Sequence, residues 1–424
     1  MRDDYYTTLL AYSPTVNALA VGLGSSVYLW SESRGVDTPD SLNMTSHAHI
    51  TSLAFSSEAG AQAILATGRA DGKLSLWSPL DAEPRFDINQ PFPISCASFS
   101  PKTRKHPSFR DSAITIDSED LLVGDESGLI YFYAVEWPSP THRDLFDYAG
   151  TVMLLARIAC HTQQICGLAW SHNAAFFATG GNDNICFLHE TRSVLAHPPP
   201  IPDPSRAYAI SDGRTVVTPG SVATIPATAA KQQWRLNAAV KAMAFSPHHR
   251  SLLALGGGSN DRQIHFMHTL SGAVLARIDC CAQVTSLIWS RTRREICATF
   301  GFAQPEHSVR VAVFAWPGCE QLVAIPWPDE HRALWAVAYP GGPGEGHASG
   351  GRAAGRAREE SRGEGSRWWN RTKSEGCIVV ATSDASIKFH EVWPEERRGG
   401  GRAAGELGGS MILEDSFGMG GVIR

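Results

Sequence analysis

The sequence is short of the features that mark most enzymes, secreted proteins and membrane proteins. Its 424 residues contain no apolar run of about 18 residues, so no bilayer-crossing helix is expected. The opening Met1-Arg2-Asp3-Asp4-Tyr5-Tyr6 has no apolar stretch of the kind a secretory leader needs. Cysteine occurs nine times without metal-type spacing, and the adjacent pair Cys280-Cys281 cannot close an ordinary bridge. Reduced, mostly buried thiols in a cytosolic or nuclear protein follow from that usage. An excess of one charge is also missing. The 37 Lys and Arg against 42 Asp and Glu give a net charge of −5, which makes no case for whole-chain binding to nucleic acid or membrane.

Catalytic motifs are absent as well. There is no Gly-x-Ser-x-Gly elbow, no Gly-x-x-x-x-Gly-Lys phosphate cradle and no His-Glu-x-x-His. Gly256-Gly257-Gly258 shares only composition with a phosphate loop, because no helical pattern follows it. The 16 histidines are scattered, and His248-His249 reads as a solvated turn. No catalytic residue, metal site or cofactor is expected, and the chain reads as a binding protein.

What is present is a repeat. Leu10-Ala11-Tyr12-Ser13 returns as Leu53-Ala54-Phe55-Ser56, Ala97-Ser98-Phe99-Ser100 and Leu168-Ala169-Trp170-Ser171. It returns again as Met243-Ala244-Phe245-Ser246, Leu287-Ile288-Trp289-Ser290 and Val337-Ala338-Tyr339-Pro340. The spacings between final residues are 43, 44, 71, 75, 44 and 50. Three of these match a four-stranded propeller blade, and the longer ones leave room for insertions. Within the units a β-rich run, a Gly/Asp/Asn turn and a second β-rich run follow in order, as in Ala63 to Gly68, Asp71-Gly72 and Leu74 to Trp77. The same order surrounds Gly180-Gly181-Asn182-Asp183-Asn184, Gly256 to Arg262, and Ser383-Asp384. His161, Thr179 and Asp183 have the spacing of a hydrogen-bonded chain inside one blade, which is a structural role.

The predicted fold is therefore all-β, a seven-bladed WD-repeat β-propeller over residues 1–394, since closing the ring leaves only short protected sheet edges. Two insertions interrupt it and are expected to be disordered. One is Pro-rich, at about 192–230, and the other is Gly/Arg-rich, at about 341–376. Residues 395–424 read as a flexible C-terminal tail ending in Ile423-Arg424.

Several ordered segments resemble the Fizzy family, the WD-repeat co-activators of the anaphase-promoting complex, a ubiquitin ligase. They are Asp4-Tyr5-Tyr6, Leu19 to Gly24, Val27-Tyr28-Leu29-Trp30, Gly180 to Asn184, Ala239-Val240-Lys241-Ala242, Gly256-Gly257-Gly258 with Asp261-Arg262, and Gly301-Phe302-Ala303-Gln304. The resemblance implies a non-enzymatic, substrate-recruiting degron receptor acting in cell-cycle or meiotic progression, in nucleus and cytoplasm. Its implied partners are anaphase-promoting complex subunits and degron-bearing substrates, with no nucleic acid and no membrane. For the KEN degron it implies Asp4, Tyr5, Asn182, Asn184, Ser259, Gln283 and Arg332. Arg332 would pair with the peptide's Glu, Asp4 would face its Lys and Gln283 its Asn. For docking on the ligase it implies Ile423 and Arg424.

The chain also departs from the family pattern. The family's activating C box, Asp-Arg-aromatic-Ile-Pro, does not occur in it, and the acidic residue implied after Asp384 is Ala385. Weak destruction-box binding is therefore expected. Two rival readings remain, a general WD-repeat scaffold without degron recognition and a phosphoinositide-binding propeller. For the latter, Arg293-Arg294 lacks the flanking Phe and Gly.

Overall fold

The computed structural model describes residues 5–31, 34–43, 47–146, 148–196, 207–210, 214–217, 222–339, 377–393 and 422–423. All seven signature segments fall on, or end just beyond, the first strand of a sheet. These strands are Leu10–Ser13, Ile50–Phe55, Ile94–Pro107, Ile165–Trp170, Val240–Phe245, Ala282–Trp289 and Ala333–Tyr339. Each begins one sheet, and the seven sheets are blades 1 to 7 in chain order. Neighbouring first strands touch all the way round, and that of blade 7 touches that of blade 1, so the ring closes.

The signature chemistry explains the geometry. Its apolar positions face the spaces between blades, where Leu10, Leu53 and Leu287 are buried. Where the aromatic is Trp it also stitches blades together. The indole of Trp170 donates to the Ser98 carbonyl at 3.2 Å and that of Trp289 to the Ala244 carbonyl at 3.1 Å. The closing Ser turns the chain back, as Ser56 and Ser171 each accept a backbone N–H from the following strand at 2.9 Å. The predicted chain inside blade 4 also forms. His161 bonds Asp183 at 3.0 Å and Thr179 at 3.0 Å, and Asp183 takes the Thr162 N–H at 3.0 Å.

Two regions differ from the sequence reading. The Pro-rich insertion begins with a short helix, Thr191–Leu195, and its later part is not an irregular loop. Arg214–Val217 and Ala223–Pro226 lie parallel to Gly150–Ala159, the outer strand of blade 3, and Ala207–Ile210 pairs with the former. The reason is an open edge. A ten-residue outer strand offers unpaired backbone groups, and the β-forming Thr224 and Ile225 meet it, burying Ile225. The tail also departs from expectation, because Val422–Ile423 forms the fourth strand of blade 7, pairing with Lys388 and Ile387. The Gly/Arg-rich insertion at 341–376 and residues 395–421 lie outside the described residues. Among the described residues no helix is long and apolar enough to cross a membrane.

Candidate functional site

In an antiparallel blade the first strand starts at the end where the second strand stops. The turns joining second to third strands therefore share one face of the ring with the entries to the first strands. This rule gathers residues far apart in sequence. Asn182 and Asn184 lie in such a turn of blade 4 and Ser259 in that of blade 5, while Gln283 and Arg332 lie at the entries to blades 6 and 7.

The N-terminal segment crosses this entry face. Thr8 is held beside blade 2, its N–H donating to the Thr51 carbonyl at 3.0 Å and its hydroxyl paired with Ser52 at 2.8 Å. Upstream of it, Tyr6 donates to the Asn182 side chain at 2.9 Å and Tyr5 reaches the Ala239 carbonyl at 3.5 Å. Lys241, almost fully buried at the channel, anchors the crossing by donating to the carbonyls of Thr7 at 2.9 Å and Leu334 at 3.0 Å. Its ammonium also lies over the rings of Tyr5 and Trp335, at 5.2 and 5.0 Å. Burial raises the Tyr5 pKa, so the phenol stays neutral.

Beside Tyr5 opens a cleft of about 330 Å³ lined by Ser259, Asn260, Gln283, Thr285, Gln304 and Arg332, with Gly301, Phe302 and Leu334 completing it. Four residues named from the sequence thus converge: Tyr5, Ser259, Gln283 and Arg332. Asn182 sits next to them rather than in the cleft, bonded to Tyr6 and, at 2.9 Å, to Gln163. Asn184 does not line the cleft. It occupies a left-handed position, φ 66°, in the turn closed by its N–H to the Gly181 carbonyl, a job Asn tolerates well. Asp4 and Arg424 lie outside the described residues, and Ile423 is described only as part of the blade 7 strand.

The cleft walls are fixed from behind. The Arg332 backbone and Ser383 exchange hydrogen bonds of 3.0 Å in both directions, locking the blade 7 entry to its own turn. Arg262 donates to the Gln304 carbonyl, tying the turns of blades 5 and 6. The Gln283 oxygen faces the Phe302 N–H at 3.5 Å, which leaves its amide nitrogen for the cleft. Arg310 is buried near Arg332, and burial lowers its pKa against the pull of Glu306 and Asp329. No carboxylate lines the cleft among the described residues. A guanidinium ringed by amides and hydroxyls suits a peptide carboxylate with neighbouring amide groups.

Asn260, Thr285, Phe302, Gln304 and Leu334 were not picked out as site residues from the sequence. The signal for two of them was there, since Gly301-Phe302-Ala303-Gln304 was one of the resembling segments.

The ring of seven sheets and its repeating strand grammar define the class, a WD-repeat β-propeller. The WD domain, G-beta repeat family matches at residues 41–78 and 153–190. Within that class the chain is similar to Fizzy-family proteins. It is 30% identical to meiotic fizzy-related protein 2 of Schizosaccharomyces pombe, over 93% of this chain and 62% of the relative. It is 26% identical to the meiosis-specific APC/C activator protein AMA1 of Saccharomyces cerevisiae, over 93% of this chain and 57% of that one. An uncharacterized WD repeat-containing protein of S. pombe is 34% identical, over 77% of this chain and 50% of its own length. The chain thus spans 50–62% of the length of these relatives. A chain in the crystal structure of a mitotic checkpoint complex shares the fold, with a TM-score of 0.62 and 24% identity over 93% of this chain and 92% of that one.

Proposed function

We propose that this chain recruits substrates to the anaphase-promoting complex as a non-enzymatic co-activator, with the entry-face cleft as its KEN-degron receptor. The observation that carries the reading is the meeting of Arg332, Gln283, Ser259 and Tyr5 in one rigid cleft free of carboxylates among its described residues. A volume of about 330 Å³ accommodates two or three peptide side chains and little more, which suits a short linear motif. Arg332 takes the peptide's Glu, the Gln283 amide takes its Asn, and Ser259 and Asn260 complete the hydrogen bonds. Affinity from such a set is modest and specificity is good, because a mismatched peptide leaves a buried polar group unpaired. Relatives named as fizzy-related proteins and as an APC/C activator support the ligase as partner. A role in meiosis and a nuclear and cytoplasmic location are part of the same proposal.

The test is titration of a labelled peptide containing Lys-Glu-Asn into wild-type and Arg332→Ala proteins. Binding is expected for the wild type and a loss of about tenfold or more for the variant, the usual effect of removing the charged partner of a desolvated carboxylate. Equal affinity for both proteins, or for a peptide with Gln in place of Glu, would favour the general scaffold reading.

A further inference from the structure

On the rim of the ring, between blades 4 and 5, lies a second groove of about 430 Å³ that shares no lining residue with the entry-face cleft. One wall is the outer strand of blade 4, Gln232–Arg235, with the two residues that follow it. The other wall is formed by Gln263, His265 and Met267 on the third strand of blade 5, and by Val274 and Arg277 on its outer strand. The walls are clamped together at both ends. At one end the Trp234 indole donates to the Gly272 carbonyl at 2.8 Å and the Gln232 amide to the Leu270 carbonyl at 3.1 Å. At the other the Asn237 N–H donates to Asp261 at 3.2 Å. The groove is therefore preformed, which lowers the entropy cost of filling it.

Its charge is unbalanced. Arg235 and Arg277 are both exposed. The Arg277 side chain has no hydrogen bond or ion pair among the described residues, and that of Arg235 reaches only the Asp183 carbonyl, at 3.5 Å. The carboxylate in the lining, Asp261, is already occupied by His265 at 2.6 Å and by the Asn237 N–H. Asp279, further along the outer strand, accepts the Cys281 N–H at 2.9 Å. Two guanidiniums without carboxylate partners thus line a groove on a chain whose net charge is −5.

The opposite end is apolar. Val274 lines it, 45% exposed, and its near neighbours in the chain, Leu275 and Leu270, stand 49% and 57% exposed. The outer strand Val274–Asp279 pairs on one side only, so its other edge presents free backbone groups to an extended chain.

We propose that this groove is a second peptide-docking site, taking an extended segment of a protein partner in which an aliphatic residue is followed by acidic ones. The aliphatic side chain covers Val274 and Leu275, and the carboxylates pair with Arg277 and Arg235. Two separate guanidiniums, each able to grip one carboxylate bidentately, favour Asp and Glu over a phosphate dianion, which calls for clustered bases. The site does not depend on the reading of the entry face.

The experiment is fluorescence anisotropy on the full chain with a fluorescein-labelled peptide, Gly-Leu-Leu-Gly-Glu-Asp-Glu-Gly, at low ionic strength. We expect saturable binding that falls about tenfold or more in the Arg235→Glu/Arg277→Glu variant, and equally for the peptide carrying Gln and Asn at its acidic positions. Arg332→Ala should leave this binding unchanged. Because both arginines are exposed, the double variant should keep the wild-type unfolding midpoint. Absence of saturable binding, equal binding by the double variant, or loss of binding in Arg332→Ala would each overturn the proposal.

Discussion

Gly301 shows how one missing methyl group sets the geometry of the entry-face cleft. A Cβ at this position would lie 2.5 Å from the Gln283 oxygen and 3.1 Å from the Thr285 methyl. The first of these is the far end of a flexible side chain, so the fold can yield cheaply, but only by moving Gln283 off its place in the cleft. Gly301→Ala is therefore expected to unfold like the wild type while binding a KEN peptide about tenfold less well, a split that thermal unfolding and anisotropy can read. A different residue governs acid stability. His189 is buried against Phe177, rings stacked at 5.0 Å, with neither nitrogen hydrogen-bonded, and burial, aided by nearby His161, pushes its pKa down to about 3. The unfolded chain takes up that proton near pH 6.5, so the neutral ring's contribution is fully present above pH 6.5 and is lost as pH falls toward 3. His390, lowered to about 4, adds the same slope, and Glu119, raised by burial to about 7, opposes it. Both act alike in wild type and variant and cancel in the difference. His189→Phe should thus lose roughly 2–3 kcal/mol less stability than wild type between pH 7 and 4.5, measured by urea unfolding at each pH. Identical losses would show that the ring is protonated in the folded state.

At the scale of strands and turns, much was legible because each blade states its own boundaries. The aromatic at the third place of each signature and, in six of the seven, the Ser after it mark a first strand and its exit, and the Gly/Asn/Asp clusters mark the next hairpin. The Fizzy resemblance, rather than this grammar, is what named Ser259, Gln283 and Arg332 together. It was not enough for Asn184, since a resembling segment does not say which of two asparagines holds the turn. The strands of the Pro-rich insertion were illegible because their partner edge, Gly150–Ala159, lies far upstream and the segments are only four residues long. The outer strand of blade 7 was hidden for the same reason, as two residues carry no periodicity. Pairing of Val422 and Ile423 with Lys388 and Ile387 is a light hold, so these residues can leave the sheet to meet a partner. Removing Val422 to Arg424 is expected to weaken capture of the ligase while shifting the unfolding midpoint by less than about 3 °C. A truncated chain that captures the ligase as well as the full chain would remove the tail from the docking proposal.

On the proposed reading, the closed ring also sets which degrons the molecule is expected to tell apart. The lining of the proposed KEN cleft is drawn from the entry to blade 1 and from blades 5, 6 and 7, so the cleft exists only when the ring is shut. Closure is well supported at the seam of blades 1 and 7, where Tyr339 packs against Tyr12 at 4.7 Å and Phe389 against Trp30 at 5.4 Å, and the Trp335 indole donates to the Leu10 carbonyl at 3.2 Å. A destruction-box peptide needs a carboxylate for its Arg, and the one in the turn of blade 7 is engaged within that turn through one of its oxygens. Asp384 is committed to that turn, accepting from Thr382 and from the Ser386 hydroxyl at 2.7 Å and N–H at 3.1 Å, with His331 at 3.8 Å. Burial works against its ionisation, yet these bonds, all on Oδ1, hold its pKa at about 2 and tie the carboxylate to its own turn. The next position is Ala385, at φ 65°, with no charge to offer. A well-packed Arg–carboxylate pair contributes on the order of 2 kcal/mol, so its absence should weaken a destruction-box peptide about tenfold or more relative to a KEN peptide. Ala385→Asp should recover part of that loss without changing KEN affinity, since the residue does not line the KEN cleft. Competition of both peptides for wild-type and Ala385→Asp proteins reads the difference directly. Destruction-box binding as tight as KEN binding in the wild type would sink the prediction.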